Sequence, residues 1–240
     1  MTEKVLLPDR HPQSDIFIWL EVNPSHKGIA TIWDKDILIF AISQIMAAKN
    51  ANIYYSKHVS FTAYDFLVFS NRNTGGKDYE ALKDSLERLG GTRLMTNVVT
   101  GNEEQIDGFG LIDKFRIRRK HQNGQVVEWG ITLSDWLFNA IESNEVLTIS
   151  PDYFRLRKPL ERRIYEIARK HCGAQKEWRI HIDLLMKKCG SNSPKRNFKA
   201  ILKTICEHDH LPDYSVNIVN DTVLFTKKSC PETIIHDLNK

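Results

Sequence analysis

Hydrophobic residues recur every three or four positions in several segments of the chain, and this spacing predicts amphipathic helices. The clearest helix covers residues 31–48, with Thr31 as a suitable N-cap. Its apolar stripe consists of Trp33, Ile37, Phe40, Ala41, Ile45 and Ala48. The same spacing predicts helices over residues 77–89 and 159–171. Gly90-Gly91 follows the first of these two, and we expect the glycine pair to end that helix.

Runs of β-branched and aromatic residues between the helices predict short strands. The predicted strands cover residues 16–22, 58–61, 92–100, 110–119, 126–133, 146–149, 178–181, 214–219 and 222–226. Asn123-Gly124 and Asn220-Asp221 each separate two of these strands, and both dipeptides are typical of tight hairpin turns. Two short helices, over residues 62–69 and 182–188, each follow a strand and precede a longer helix.

One order of elements therefore occurs twice: a strand, a short helix, a polar turn, a longer helix and a hairpin. The polar turns are residues 70–76 and 189–193, and the second longer helix starts at Pro194 and runs to about Glu207. Two tandem winged helices form the simplest architecture with this order, so we predict an α+β fold of that kind. The domain boundaries that we expect are residues 1–30 for an N-terminal arm, 31–150 for the first winged-helix domain and 151–240 for the second.

The composition is that of a folded protein, with 41% hydrophobic and 27% charged residues. The longest apolar run, residues 37–42, is far too short to span a bilayer, and the N-terminus lacks the apolar core of a secretory signal. The four cysteines contain no C-x-x-C pair, which argues against both a zinc site and a compact disulfide framework. We therefore expect a cytoplasmic protein with no metal, no cofactor and no membrane partner.

The net charge is only +4, so the position of the positive charge carries the information. Residues 114–120 contain five basic side chains and no acid, residues 155–170 contain seven, and residues 184–206 contain six with no acid. A solvated surface accounts for any one such window. Three of them together favour a polyanionic partner, and nucleic acid is the most common one.

In a helix-turn-helix unit the second helix enters the major groove of DNA, which is wide enough to admit one helix. The second repeat suits this role because short polar side chains precede its longer helix and basic side chains follow. The candidate DNA contacts there are Ser191, Asn192, Ser193, Lys195, Arg196, Asn197, Lys199 and Lys203.

The first repeat differs, because residues 77–89 contain three basic and four acidic side chains and a net negative helix repels phosphates. Its candidates lie in the preceding turn, at the start of the helix and in a later strand: Arg72, Asn73, Lys77, Lys114, Arg116, Arg118, Arg119 and Lys120. We therefore expect unlike roles for the two repeats. The second reads bases, while the first grips the DNA backbone, associates with a second protomer, or does both.

A nicking enzyme is the alternative from a different class. Such enzymes use a His-hydrophobic-His metal site and a nucleophilic tyrosine, and this chain contains His208-Asp209-His210 and Tyr54-Tyr55. The residue between the histidines is charged, however, and the motif falls at the end of a predicted helix. We therefore expect a DNA-binding protein without enzymatic activity.

Several motifs are long enough to be specific: GIATIWDKDILI (residues 28–39), NTGGK (73–77), LERLGGT (86–92), ITLSDWL (131–137), VLTIS (146–150), DYFRLRKPLERR (152–163) and ARKHCG (168–173). With these motifs the chain resembles the replication initiator protein A family of bacterial plasmids, the RepA-like initiators, from about Val22 to about Lys227. The resemblance implies a plasmid replication initiator that binds repeated double-stranded sites, or iterons, in its origin.

By extension from other plasmid initiators, the resemblance also implies repression of its own promoter and recruitment of host replication proteins. Tandem winged helices are the fold expected of iteron-binding initiators, in agreement with the repeat. A sequence-specific transcriptional repressor of the same fold remains the second alternative. The motifs do not identify the residues that contact bases, so the candidate residues depend on the helix-turn-helix interpretation.

Overall fold

A computed structural model describes residues 3–10, 17–100, 103–120 and 126–228. The chain folds as two compact units, Met1–Val146 and Leu147–Lys240. Both units combine helices with small antiparallel sheets, as the mixed α and β patterns predict. Within the described ranges, no helix is both long enough and apolar enough to cross a membrane.

The described residues of the first unit form four helices and seven strands. The helices are α1 (Lys35–Asn50), α2 (Ala63–Phe69), α3 (Gly76–Gly91) and α4 (Asp135–Glu142). The strands are β1 (Glu3–Arg10), β2 (Phe17–Asn23), β3 (His58–Phe61), β4 (Arg93–Thr100), β5 (Glu103–Gly110), β6 (Ile112–Arg119) and β7 (Val126–Leu133). They form two antiparallel sheets with the strand orders β1-β2-β4-β5 and β3-β7-β6.

The second unit contains one 3₁₀ turn, three helices and three strands in its described part. After the turn at Pro151–Arg155 come α5 (Pro159–His171), β8 (Glu177–His181), α6 (Ile182–Lys188), α7 (Lys195–His208), β9 (Tyr214–Val219) and β10 (Thr222–Lys227). The strands form a single antiparallel sheet in the order β8-β10-β9.

The predicted repetition of elements is confirmed. The series β3, α2, α3, β6, β7 in the first unit corresponds to β8, α6, α7, β9, β10 in the second, and each sheet places its last strand in the centre. The first unit differs by an inserted hairpin, β4–β5, which pairs with β2 in a separate sheet. The predicted Asn123-Gly124 turn lies outside the described residues, as does Cys230.

Some predicted boundaries are wrong. Residues 1–30 were expected to hold one strand, but β1 and β2 both form and pair with each other. β5 was not predicted, and residues 146–149 form no strand. Gly90-Gly91 does not stop α3 before it but forms its last two helical residues. The backbone packs closely there, and a Cβ on Gly91 would overlap the Cβ of Ser25.

The core of the first unit forms where the predicted stripe of α1 meets α2, α3 and the β3-β7-β6 sheet. Ile37 and Ala41 on α1 and Leu82 and Leu86 on α3 are completely buried. Side chains from β7 complete the cluster, with Ile131 fully buried. Each repeat thus buries the apolar face of its helices on its own sheet, so the opposite face of each longer helix carries the polar residues.

Candidate nucleic-acid interface

In the second unit, α6 and α7 pack on the sheet through the apolar positions that the sequence indicated. Ile182 and Leu185 of α6 and Phe198, Leu202 and Ile205 of α7 are completely buried. The predicted start of α7 was Pro194, but helical backbone begins at Lys195. Pro194 instead precedes it and accepts hydrogen bonds from the amides of Asn197 and Phe198 at 2.9 and 3.2 Å.

The N-cap residue of α7 is Pro194, whose side chain makes no capping hydrogen bond to the first turn. Ser191 Oγ accepts a bond from the Ser193 amide at 3.4 Å, while Asn192 and Ser193 are exposed. The uncapped N–H groups at a helix N-terminus attract anions, and phosphate is a suitable ligand. The N-terminus of α7 therefore combines backbone N–H groups that are open to a ligand with short polar side chains.

Three of the candidate side chains on α7 are exposed: Arg196, Asn197 and Lys203. In the described part of the chain none of the three makes an ion pair or side-chain hydrogen bond. Lys187 and Lys188 in the last turn of α6 are likewise exposed and were not among the predicted contacts. These side chains are available to a polyanion.

Lys195 and Lys199 are held differently, because two carboxylates of the same unit bind them. Lys195 Nζ lies 2.7 Å from Asp183 Oδ1 and 3.4 Å from Asp221 Oδ2, and Lys199 Nζ lies 2.5 Å from Asp221 Oδ1. The hydrogen bond with Asp183 raises the pKa of Lys195, and the hydrogen bond from Lys199 lowers the pKa of Asp221. Both shifts favour the charged forms of Lys195 and Asp221 at neutral pH.

In the first unit, β6 displays a row of basic side chains. Lys114, Arg116 and Arg118 are exposed, while Phe115 and Ile117 between them pack towards the core. This alternation follows from the twofold period of a strand. The pairing of β6 with β7 shifts between Arg118 and Arg119, so the basic run leaves the regular ladder at that point; Arg119 and Lys120 are also exposed.

One member of this row is paired across the sheet. Arg118 Nε lies 2.8 Å from Glu128 Oε2, and the other carboxylate oxygen accepts a 2.8 Å hydrogen bond from Ser60 Oγ. The bond from Ser60, with the nearby Arg118 charge, lowers the pKa of Glu128. Lys114 and Arg116 have no such partner among the described residues. The face therefore retains unpaired positive charge.

Arg72 is held by contacts within the first unit. Its Nη2 donates to Asp36 Oδ2 and to the Trp33 carbonyl oxygen, both at 2.7 Å, and its guanidinium lies over the Phe66 ring. Asp36 is completely buried. An arginine held this way stabilises the start of α1, and its role as a DNA contact stays a prediction. Asn73 and Lys77 nearby are exposed.

Two of the four acids of α3, Asp84 and Glu87, form ion pairs within the first unit. Lys27 Nζ lies 3.2 Å from Asp84 Oδ1 and 3.8 Å from Glu87 Oε2, and His26 also approaches Glu87. α3 thus differs from α7 both in its net charge and in its surroundings. The sequence predicted the difference in net charge.

Arg162 and Arg169, two of the seven basic side chains in the window at residues 155–170, are held by contacts within their unit. Arg162 is almost fully buried, lies over the Tyr153 ring and donates to the Leu156 carbonyl at 2.9 Å. Arg169 Nε donates to the Thr148 carbonyl at 2.7 Å. Counting basic residues in this window therefore overstates the positive charge available to a ligand.

The residues that suggested a nicking enzyme have other partners or positions. His208 Nδ1 lies 2.9 Å from the Thr204 carbonyl oxygen, and His210 Nε2 lies 3.2 Å from Glu161 Oε1. The two imidazole ring centres are 6.2 Å apart. Tyr54 belongs to the first unit and the histidines to the second.

Comparison with known proteins places this geometry in context. A protein of Wigglesworthia glossinidia brevipalpis named "Putative replication protein" is 41% identical over 216 residues, which cover 87% of this chain and 78% of that protein. Two crystal structures of domains 2 and 3 of RctB, one of a selenomethionine derivative, share the fold at TM-scores of 0.69 and 0.71. Each match covers 95% of this chain and 91% of the RctB chain, and the sequence identities are 14% and 13%.

Residues 9–216 also match the family described as Replication initiator protein A. The match covers most of the chain and both structural units. It agrees with the family resemblance carried by the sequence motifs. The chain belongs to the replication initiator protein A family.

Proposed function

We propose that this chain initiates plasmid replication by binding repeated double-stranded sites in its origin through two winged helices. In this proposal α7 is the reading helix and the β9–β10 hairpin is the wing of the second unit. In the first unit, β6 and β7 form the wing, and its basic row grips phosphates. The chain acts as a binding protein, without catalysis, and also represses its own promoter.

The observation that carries the proposal is the polar face of α7 in a chain of this family. Arg196, Asn197 and Lys203 project from a helix whose opposite face is fully buried, and they have no partner in their own unit within the described residues. Arginine and asparagine are the side chains that make bidentate contacts to guanine and adenine. Their exposure on an uncapped helix suits entry into a major groove.

Unlike functions for the two units follow from their charges. α3 is net negative, and two of its four acids, Asp84 and Glu87, pair with Lys27 and His26, so it is a poor groove reader. The row formed by Lys114 and Arg116 suits backbone contact, because phosphate contacts position a protein without reading sequence. Association of two protomers through the first unit and contacts to host replication proteins are part of the same proposal.

The test is a gel-shift titration on the origin fragment of the chain's own plasmid and on scrambled DNA, at two salt concentrations. We expect a ladder of shifted bands on the origin fragment alone, because each repeat of the site that is filled by the protein adds one shifted band. Equal, salt-sensitive smearing on both DNAs would overturn sequence-specific binding. Binding to a promoter without dependence of a cloned origin on the protein would identify a repressor instead.

A further inference from the structure

The turn of the β9–β10 hairpin is attached to both helices of the helix-turn-helix in the second unit. Asn220 and Asp221 have φ values of 47° and 60°, as in the tight turns that connect strands of a hairpin. The Asp221 carbonyl accepts a 2.8 Å hydrogen bond from the Ile182 amide at the start of α6. Its carboxylate reaches Lys195 and Lys199 on the first two turns of α7.

The second carboxylate of this arrangement comes from α6. Asp183 binds Lys195 at 2.7 Å and also lies 3.4 Å from His181 Nδ1. Two lysines and two carboxylates therefore meet beside the N-terminal half of α7, and their charges cancel. We call Asp183, Lys195, Lys199 and Asp221 the carboxylate–lysine cluster.

The cluster lies at the surface. The side chains of all four members are more than one third exposed, so a ligand can reach both the lysines and the carboxylates. A phosphate that approaches Lys199 meets Asp221 on the same ammonium group and is repelled by it. A base edge that presents a hydrogen-bond donor, such as the amino group of cytosine, can instead donate a hydrogen bond to a carboxylate of the cluster.

From this geometry we propose that Asp221 is a specificity-determining residue, which holds Lys195 and Lys199 so that non-specific phosphates cannot recruit them. The inference rests on the proposed function, because it concerns the same reading helix. In non-specific DNA the two lysines stay paired and contribute little affinity. At a cognate site the docked helix brings base edges to the cluster, and the pairs rearrange to contact them.

The test is Asp221→Asn in the full chain, measured by fluorescence anisotropy on origin and scrambled duplexes at several salt concentrations. Asparagine also adopts positive φ readily, so the turn is retained while the charge is removed. We expect affinity for scrambled DNA to rise about tenfold, with a salt slope steeper by about 0.9, because Lys199 is freed while Lys195 keeps its 2.7 Å contact with Asp183. Affinity for the origin rises less, so the ratio of the two affinities falls.

Glu207→Gln is the matched control, because Glu207 is an exposed carboxylate on the same helix with no ion-pair partner in the described residues. It also removes one negative charge, and we expect less than about a twofold change on either DNA. If Asp221→Asn strengthens binding to both DNAs equally, or changes neither, the inference is overturned. Asp183→Asn, which leaves Lys195 only its 3.4 Å contact with Asp221, provides the same comparison if the turn variant does not fold.

The lysine double variant Lys195→Ala with Lys199→Ala separates restraint of the lysines from simple repulsion by Asp221. Adding Asp221→Asn to it leaves scrambled-DNA binding unchanged if the aspartate acts through the lysines. A further tenfold rise in that background would overturn this part. Wild-type protein that shows no preference for the origin would overturn the proposed function itself, and that result is read before any variant is compared.

Discussion

Arg88 on α3 and Asp34 before α1 form a two-point ion pair that joins α3 to the start of α1. Arg88 Nε lies 2.8 Å from Asp34 Oδ2, and Nη2 lies 2.7 Å from Oδ1. Asp34 is completely buried, and it also accepts hydrogen bonds from the amide and the hydroxyl of Thr31. The residue that a sequence reader takes for a surface cation of an amphipathic helix thus satisfies a buried carboxylate.

Breaking this pair from one side should be costly. We expect Arg88→Met to lower the free energy of unfolding of the first unit by about 3 kcal/mol or more, because it leaves Asp34 buried without its partner. Lys83→Met is the control, since Lys83 forms an exposed pair with Glu87 at 3.6 Å and its loss should cost under about 1 kcal/mol. Urea denaturation compares the two; similar losses would contradict the assigned role of Arg88.

The same pair predicts a pH dependence. Burial raises the pKa of Asp34, but the hydrogen bonds from Arg88, Ser85 and Thr31 outweigh it and leave the pKa below its usual value. A carboxylate whose pKa is lower in the folded chain than in the unfolded chain stabilises the fold at pH values above its unfolded pKa. This stabilisation is lost as the pH falls through its folded pKa. The difference in unfolding free energy between wild type and Arg88→Met should therefore be largest near neutral pH and shrink towards about pH 3. A difference that is constant over this range would contradict the assignment.

We expect substitution of Gly91 to destabilise the first unit because Ser25 lies directly against it. A Cβ at Gly91 would overlap Ser25 Cβ and lie 3.2 Å from its Cα, and Ser25 is itself fixed by two backbone hydrogen bonds with Gly28. We expect Gly91→Ala to cost about 1–3 kcal/mol in thermal unfolding. Gly76→Ala on the same helix meets no atom within 4 Å and should be neutral or stabilising by up to about 1 kcal/mol. Equal melting temperatures for the two variants would show that the close approach is relieved without cost.

Tyr165 links two segments of the second unit. Its buried hydroxyl accepts from the Ser150 amide at 2.9 Å and donates to Asp213 Oδ2 at 2.8 Å, and burial raises its pKa. Tyr165→Phe should lower the unfolding free energy by about 1–3 kcal/mol, because the Ser150 amide loses its acceptor. Tyr64→Phe, at an exposed position, should change it little. Matched urea curves for these two variants would contradict the prediction.

The unlike functions proposed for the two units predict different effects on DNA binding. Arg196→Ala should lower the preference for origin over scrambled DNA about tenfold, since a bidentate base contact contributes about 1–3 kcal/mol. Arg116→Ala should weaken both complexes alike and reduce the salt slope by about 0.9. Competition binding measures both quantities, and the opposite ranking would exclude this assignment of functions.

The local signals in the sequence predicted much of the fold. Thr62 caps α2 by accepting from the Asp65 amide at 3.1 Å, and Asn220-Asp221 adopts the backbone of a tight turn. β5 escaped prediction because its sequence, EEQIDGFG, has little β propensity and is a strand through pairing with β4. Tertiary pairing overrode composition there.

In the candidate site, too, local patterns predicted some features and contacts between distant elements decided others. Exposure of Arg196 and Lys203 followed from helical periodicity, since the apolar positions of α7 fixed its buried face. Periodicity could not reveal that Arg72 would bind Asp36, nor that Asp221 would bind Lys199 across the fold. Such pairs depend on which elements meet, and a charge count along the chain treats paired and unpaired cations alike.

The repeated sheets close loops of very different length. In the first unit β3 pairs with β7, so that His58 lies opposite Thr132, whereas in the second β8 pairs with β10, so that His181 lies opposite Thr222. The inserted β4–β5 hairpin accounts for much of the longer span. Closing a longer loop costs more chain entropy before its contacts form, and folding slows as contacting residues lie further apart along the chain. The second sheet, which supports α7, should therefore assemble earlier during refolding than its counterpart, although it is synthesised later.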